Sequence, residues 1–187
     1  MKVIINIDGG SRGNPGIGAA AYVIKDESGK ILAQEGHYMP HCTNNQAEYT
    51  ALRLALIKAA ELKAKELSII SDSLLLVKQY LGEYKIKNPD LAERMAEIRL
   101  LAKPFSIHIQ HVLRHLNKEP DALANKAMDM KQSVGFNPIE NLYPLVKTAK
   151  EDIKQTDAPP LSPVLRDEKG TIKKQKGMQQ PSLFDEF

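Results

Sequence analysis

The strongest constraint on this chain is the length of its apolar runs. Val3-Ile4-Ile5-Asn6-Ile7, Ala19 to Ile24 and Leu67 to Ile70 each span four to six residues, and each is followed within two residues by an aspartate. Runs this short and this apolar read as strands of a layered domain. Between them the period changes. Leu52, Ala55, Leu56, Ala59 and Leu62 recur at helical spacing after Asn44-Asn45, which can cap a helix. The spacing predicts strands over Val3–Ile7, Gly18–Lys25, Ile31–Met39, Glu66–Ser71 and Phe105–Val112. It predicts helices from the Asn44-Asn45 cap to about Leu62, over Ser73–Leu81, from Asn88-Pro89-Asp90 onward, and over Glu119–Met130. That order describes an α/β domain with a five-stranded mixed sheet, three antiparallel strands then two parallel, flanked by helices. His111, inside the fifth strand, is expected to be packed and hydrogen-bonded.

Composition matters at the C-terminal side. Six of the eleven prolines lie after residue 131, and Thr148 to Gln180 holds few large apolar side chains. A domain over 1–131, an extension over 132–147 and a flexible tail over 148–187 are therefore expected. The longest apolar runs are far too short to span a bilayer, so no membrane partner is expected. The early Asp8 interrupts any secretory core, and one cysteine, Cys42, cannot form an internal disulfide; both suit the cytoplasm. There is no Gly-Lys-Ser/Thr element of a phosphate-cradling loop. The formal net charge of +3 permits a polyanionic partner without demanding one.

The carboxylates give the map a direction. Asp8 ends the first strand and Asp72 ends the fourth, which a right-handed crossover lays beside the first. Two adjacent carboxylates require a proton or a cation between them. Glu48 in the first long helix and Asp121 at the start of the last helix can point to the same place. Oxygen ligands without paired Cys or His favour Mg²⁺ or Mn²⁺ over Zn²⁺. Taken singly, each of these acids would read as a cap or a surface charge.

Four segments carry a family resemblance. Asp8-Gly9-Gly10-Ser11-Arg12-Gly13-Asn14-Pro15-Gly16, Thr43-Asn44-Asn45-Gln46-Ala47-Glu48, Ser71-Asp72-Ser73 and Val112 to Ala124 around Asp121 resemble, in order, the motifs of type 1 ribonuclease H. The resemblance covers about residues 1–131 and implies the ribonuclease H-like fold. It implies an endonuclease that hydrolyses the RNA strand of RNA–DNA hybrids, leaving 5′-phosphate and 3′-hydroxyl ends. Asp8, Glu48, Asp72 and Asp121 would be the catalytic residues and hold two Mg²⁺ ions, with Mn²⁺ as a substitute. Glu48 is placed to sense the RNA 2′-hydroxyl. Gly9, Gly10, Asn14, Thr43, Asn44, Asn45, Gln46, Ser73 and Arg114 would contact substrate, with helix capping as the other use of the polar run.

Two features depart from larger members. The loop before Asp121 is short, which leaves His115 as a candidate for proton transfer, with Arg114 matching the motif. Gly82 to Lys103 carries mixed charge and the chain has no Trp, so this is the compact form without the basic handle. At the end of the tail, Gln180-Pro181-Ser182-Leu183-Phe184 resembles the peptide that docks replication proteins onto the sliding clamp, with Gln180, Leu183 and Phe184 as its contacts. A non-catalytic hybrid-binding module and another nuclease of the same superfamily are the competing readings.

Overall fold

A computed structural model describes residues 1–136, which lie within Met1–Leu142, the first of two units; the second is Tyr143–Phe187. The expected tail over 148–187, with Gln180, Leu183 and Phe184, and most of the extension over 132–147 lie outside the described residues. The strands are β1 (Lys2–Gly13), β2 (Gly16–Lys25), β3 (Ile31–Cys42), β4 (Glu66–Ser71), β5 (Ser106–His111) and β6 (Val134–Phe136). The helices are α1 (Asn44–Glu61), α2 (Leu74–Tyr80), α3 (Pro89–Ala102) and α4 (Lys118–Met130), with a 3₁₀ turn at Arg114–Leu116. None of these helices is long and apolar enough to cross a membrane.

The strands form one mixed sheet in the order β5-β4-β1-β2-β3-β6. β1, β2 and β3 pair antiparallel, while β4 pairs parallel with both β1 and β5. The sheet therefore has six strands where five were expected. The addition is β6, three residues that pair antiparallel with β3 from Gln34↔Phe136 to Gly36↔Val134 and carry the sheet past residue 131. A segment that short has no periodicity of its own, because its partner lies about a hundred residues earlier.

β2 reads as an unbroken apolar run because both of its faces are covered. Ala20, Tyr22 and Ile24 join the main core with Val3, Ile5 and Ile7 of β1 and Leu52, Ala55 and Leu56 of α1. Ala19 and Ala21 face the other way, into a smaller cluster with Ala124, Ala127 and Met128 of α4. Helices α1 and α4 thus sandwich the sheet. His111 corrects the expectation of a packed side chain: it is exposed, because β5 is the outermost strand and only Ile109 of that strand is buried.

Candidate active site

The site forms where the two partners of β1 part company. The parallel ladder to β4 ends at Ile7↔Ser71, while β1 continues beside β2 through Gly13. Asp8 is therefore not the end of its strand, as the Asp-Gly-Gly sequence suggested, but the first residue beyond the ladder. Asp72 is the residue directly after β4, so the two carboxylates stand side by side. From α1, Glu48 reaches the same point, because Gly9 lets the helix backbone press against β1: a methyl at Gly9 would lie 2.2 Å from the Glu48 nitrogen. The Gly9 N–H donates to the Glu48 carboxylate.

Oxygen atoms of Asp8, Glu48 and Asp72 all lie within 4.8 Å of one another. Asp8 and Glu48 are each 5% exposed, and the Glu48 Oε2 is buried without a hydrogen-bond partner. Burial first, then the carboxylates of Asp72 and Asp121, pushes Asp8 up to about 7 against the pull of Arg114. Burial, followed by Asp8 and Asp72, raises Glu48 well above the usual carboxylate range. The Asp8 and Asp72 carboxylates lie close enough to repel unless a proton or a cation comes between them. A hard divalent cation can replace that proton and use the unpartnered Glu48 oxygen; the donors are all oxygen, as Mg²⁺ and Mn²⁺ prefer.

Asp121 is held apart from this trio. Its Oδ1 accepts from Arg114 Nη2 at 2.7 Å, and it reaches Asp8 through its charge. The trio opens onto a groove of about 440 Å³, which Gly9, Gly10, Asn44, Ser73 and Arg114 also line. Thr43, Asn45 and Gln46 are not among its lining residues. Thr43 and Gln46 form a reciprocal capping box at the start of α1, and Gln46 Nε2 donates to Asp90 of α3 at 3.0 Å. Asn14 stands nearby, its Oδ1 accepting from the Asn44 backbone at 3.1 Å. Ser73 caps α2 through the Leu76 N–H at 3.4 Å. His115 is exposed on the 3₁₀ turn and is not part of the lining.

The family described as "Reverse transcriptase-like" matches residues 6–127 of this chain. A ribonuclease HI of Halobacterium salinarum is 42% identical over 129 residues, covering 68% of this chain and 65% of that protein. A bifunctional protein of Mycobacterium tuberculosis is 42% identical over 131 residues, 69% of this chain; the chain spans only 36% of that relative's length. Among solved structures, LC11-RNase H1 in complex with an RNA/DNA hybrid matches with a TM-score of 0.66 and 36% identity, covering 69% of this chain and 98% of that one. The chain belongs to this family, in its type 1 ribonuclease H branch.

For a type 1 ribonuclease H chain, the residue most easily missed in the sequence is Asn117. It is 1% exposed, and its Nδ2 donates to the Ile7 carbonyl at 2.8 Å and to Asp72 Oδ1 at 3.0 Å. Its Oδ1 accepts from Asn6 Nδ2 at 3.0 Å. Asn117 therefore ties the start of α4 to β1 and fixes the orientation of Asp72. Nothing local marks it, because one of its acceptors is a backbone carbonyl 110 residues away. Asn117→Ala leaves that carbonyl unpaired, and thermal melts are expected to show a loss of about 1–3 kcal/mol. Ser11, Arg12, Asn125 and Met128 also line the groove without having been singled out; Ser11 and Arg12 sit inside the first motif, where the flanking glycines draw the eye.

Proposed function

We propose that this chain is an endonuclease of the cytoplasm that hydrolyses the RNA strand of RNA–DNA hybrids and leaves 5′-phosphate and 3′-hydroxyl ends. Residues 1–131 would be its catalytic domain. The observation that carries this reading is the convergence of Asp8, Glu48 and Asp72 within 4.8 Å beneath an open groove. The hybrid bound to LC11-RNase H1 supports the choice of substrate.

Asp8 and Asp72 would share the metal, with Glu48 and Asp121 completing the set. Two Mg²⁺ ions, when bound, supply an activated water and stabilise the leaving 3′ oxygen. The chain's own residues do the rest. Gly9 holds the Glu48 carboxylate through its N–H, at the place where a ribose 2′-hydroxyl would meet it. Asn117 keeps Asp72 turned toward Asp8. Arg114, tied to Asp121, offsets the negative charge of the cluster as a phosphate approaches. Asn44 and Ser73 line the groove where sugar and phosphate contacts read shape rather than base sequence. No step is assigned to His115. Docking of Gln180, Leu183 and Phe184 on a sliding clamp stays a proposal from the sequence alone.

The test is cleavage of an end-labelled RNA–DNA hybrid by the full chain with Mg²⁺, beside single-stranded RNA and duplex DNA of the same sequence. Cutting confined to the RNA of the hybrid, and stopped by a chelator, is the expected result. Hybrid binding without cutting would favour the non-catalytic module, and trimming from strand ends would favour another nuclease of the superfamily.

A further inference from the structure

Helix α4 and strand β1 run side by side, and their paired residues can be read off in order. Asn6 meets Asn117, Gly10 faces Met128 and Arg12 meets Asp129. Six strand residues at ~3.3 Å and twelve helix residues at ~1.5 Å cover nearly the same length, ~20 Å against ~18 Å, so the two stay in step. Alternate residues of a strand share a face. Arg12 therefore lies on the Asp8 face of β1, about 13 Å beyond it, and it lines the same groove.

Arg12 and Arg114 are the cations that line this groove among the described residues. Arg114 is committed to Asp121 close to the acids. Arg12 is held at the far end: its Nη2 donates to Asp129 Oδ1 at 2.6 Å, with its side chain 50% exposed and that of Asp129 64% exposed. An ion pair this open contributes at most about 1 kcal/mol to stability. It occupies one of the five N–H donors of a guanidinium, which leaves the fork able to grip a phosphate. A polyanion laid across buried carboxylates is repelled at the centre, and a cation farther along the groove offsets that repulsion.

We propose that Arg12, once it gives up Asp129, grips a phosphate of the hybrid a few nucleotides away from the cut. This rests on the hybrid reading above. Strands that advance ~3.4 Å per nucleotide along the duplex place such a phosphate within reach at this separation. The simpler reading makes the Arg12–Asp129 pair a brace between β1 and α4, and the two readings differ in their response to salt.

The test is binding of a fluorescent RNA–DNA hybrid by the full chain in chelator, where no strand is cut, from 50 to 200 mM salt. Arg12→Gln is expected to weaken binding about 3–10-fold at the lowest salt and to reduce the slope of log affinity against log salt by about one. Arg12→Lys is expected to keep the slope, since the charge remains. Asp129→Asn is expected to tighten binding about twofold, because it removes a competing anion. In steady-state cleavage the Arg12→Gln loss should fall on KM. Unchanged affinity and slope in Arg12→Gln, beside a native chain that binds, would overturn the assignment to Arg12 and leave the hybrid reading standing. So would an Asp129→Asn variant that loses as much as Arg12→Gln, because that result marks a brace. A native chain that does not bind hybrid at all would overturn both.

Discussion

Asp8→Asn is expected to melt at a higher temperature than the native protein in chelator at pH 8, while losing hybrid cleavage by a factor on the order of 10³. The two effects have one origin. Folding buries Asp8 beside Asp72 and Glu48, within reach of the Asp121 charge, and its carboxyl is pushed from 3.8 up to about 7. The folded state then binds that proton more tightly than the unfolded chain does. The stabilisation is fully present below about pH 4 and is lost as pH rises through about 7. The metal-free native protein should therefore weaken between these limits. Asn carries no charge, so the variant should lose most of that slope and gain on the order of 2 kcal/mol at pH 8, or roughly 5 °C. Added Mg²⁺ should raise the melting temperature of the native chain more than that of Asp8→Asn. A variant that melts below the native protein in chelator at pH 8 would contradict the crowding of carboxylates described above.

Gly9→Ala is expected to cost more than any exposed substitution, and Gly10→Ala very little. A methyl at Gly9 would sit 2.2 Å from the Glu48 nitrogen and 2.4 Å from the Ala47 carbonyl carbon, both backbone atoms of α1. Relief requires the helix to back away, and overpacking of this kind costs on the order of 3 kcal/mol. The retreat also carries Glu48 away from Asp8, and a displacement of ~1 Å at such a site lowers activity by roughly 10²-fold. A methyl at Gly10 meets only the Met128 Cε, at 3.9 Å. Denaturant melts and cleavage rates of the two variants should separate clearly; equal behaviour would show that α1 does not rest on β1 through Gly9.

Much of this was legible from residue order. Glu66–Ser71 matches its expected bounds because the run is short, apolar and closed by Asp72. The meeting of Asp8 and Asp72 was legible because strand ends converge in an α/β sheet, and Glu48 joins them while Asp121 stands outside the trio. What failed did so for physical reasons. Asp8 to Gly13 has the composition of a turn, yet it pairs as strand with Gly16 to Ala21, where small residues let the hairpin continue. The capping use of the polar run is present, with Thr43 and Gln46 bonded to each other at the start of α1, and capping and ligand contact call for the same side chains. β6 and Asn117 depend on partners far away in the chain, which local patterns do not register.

The placement of β1 has a consequence for biosynthesis. It is made before β4, yet it pairs with that strand, whose residues follow more than fifty positions later. Until Glu66–Ser71 emerges from the ribosome, the nascent β1–β3 meander exposes a bare hydrogen-bonding flank of Val3, Ile5 and Ile7. Such a flank invites pairing with other nascent chains. Slow translation between residues 43 and 66 would lengthen that window, so soluble yield should respond to codon choice in this stretch more than in the α3 region.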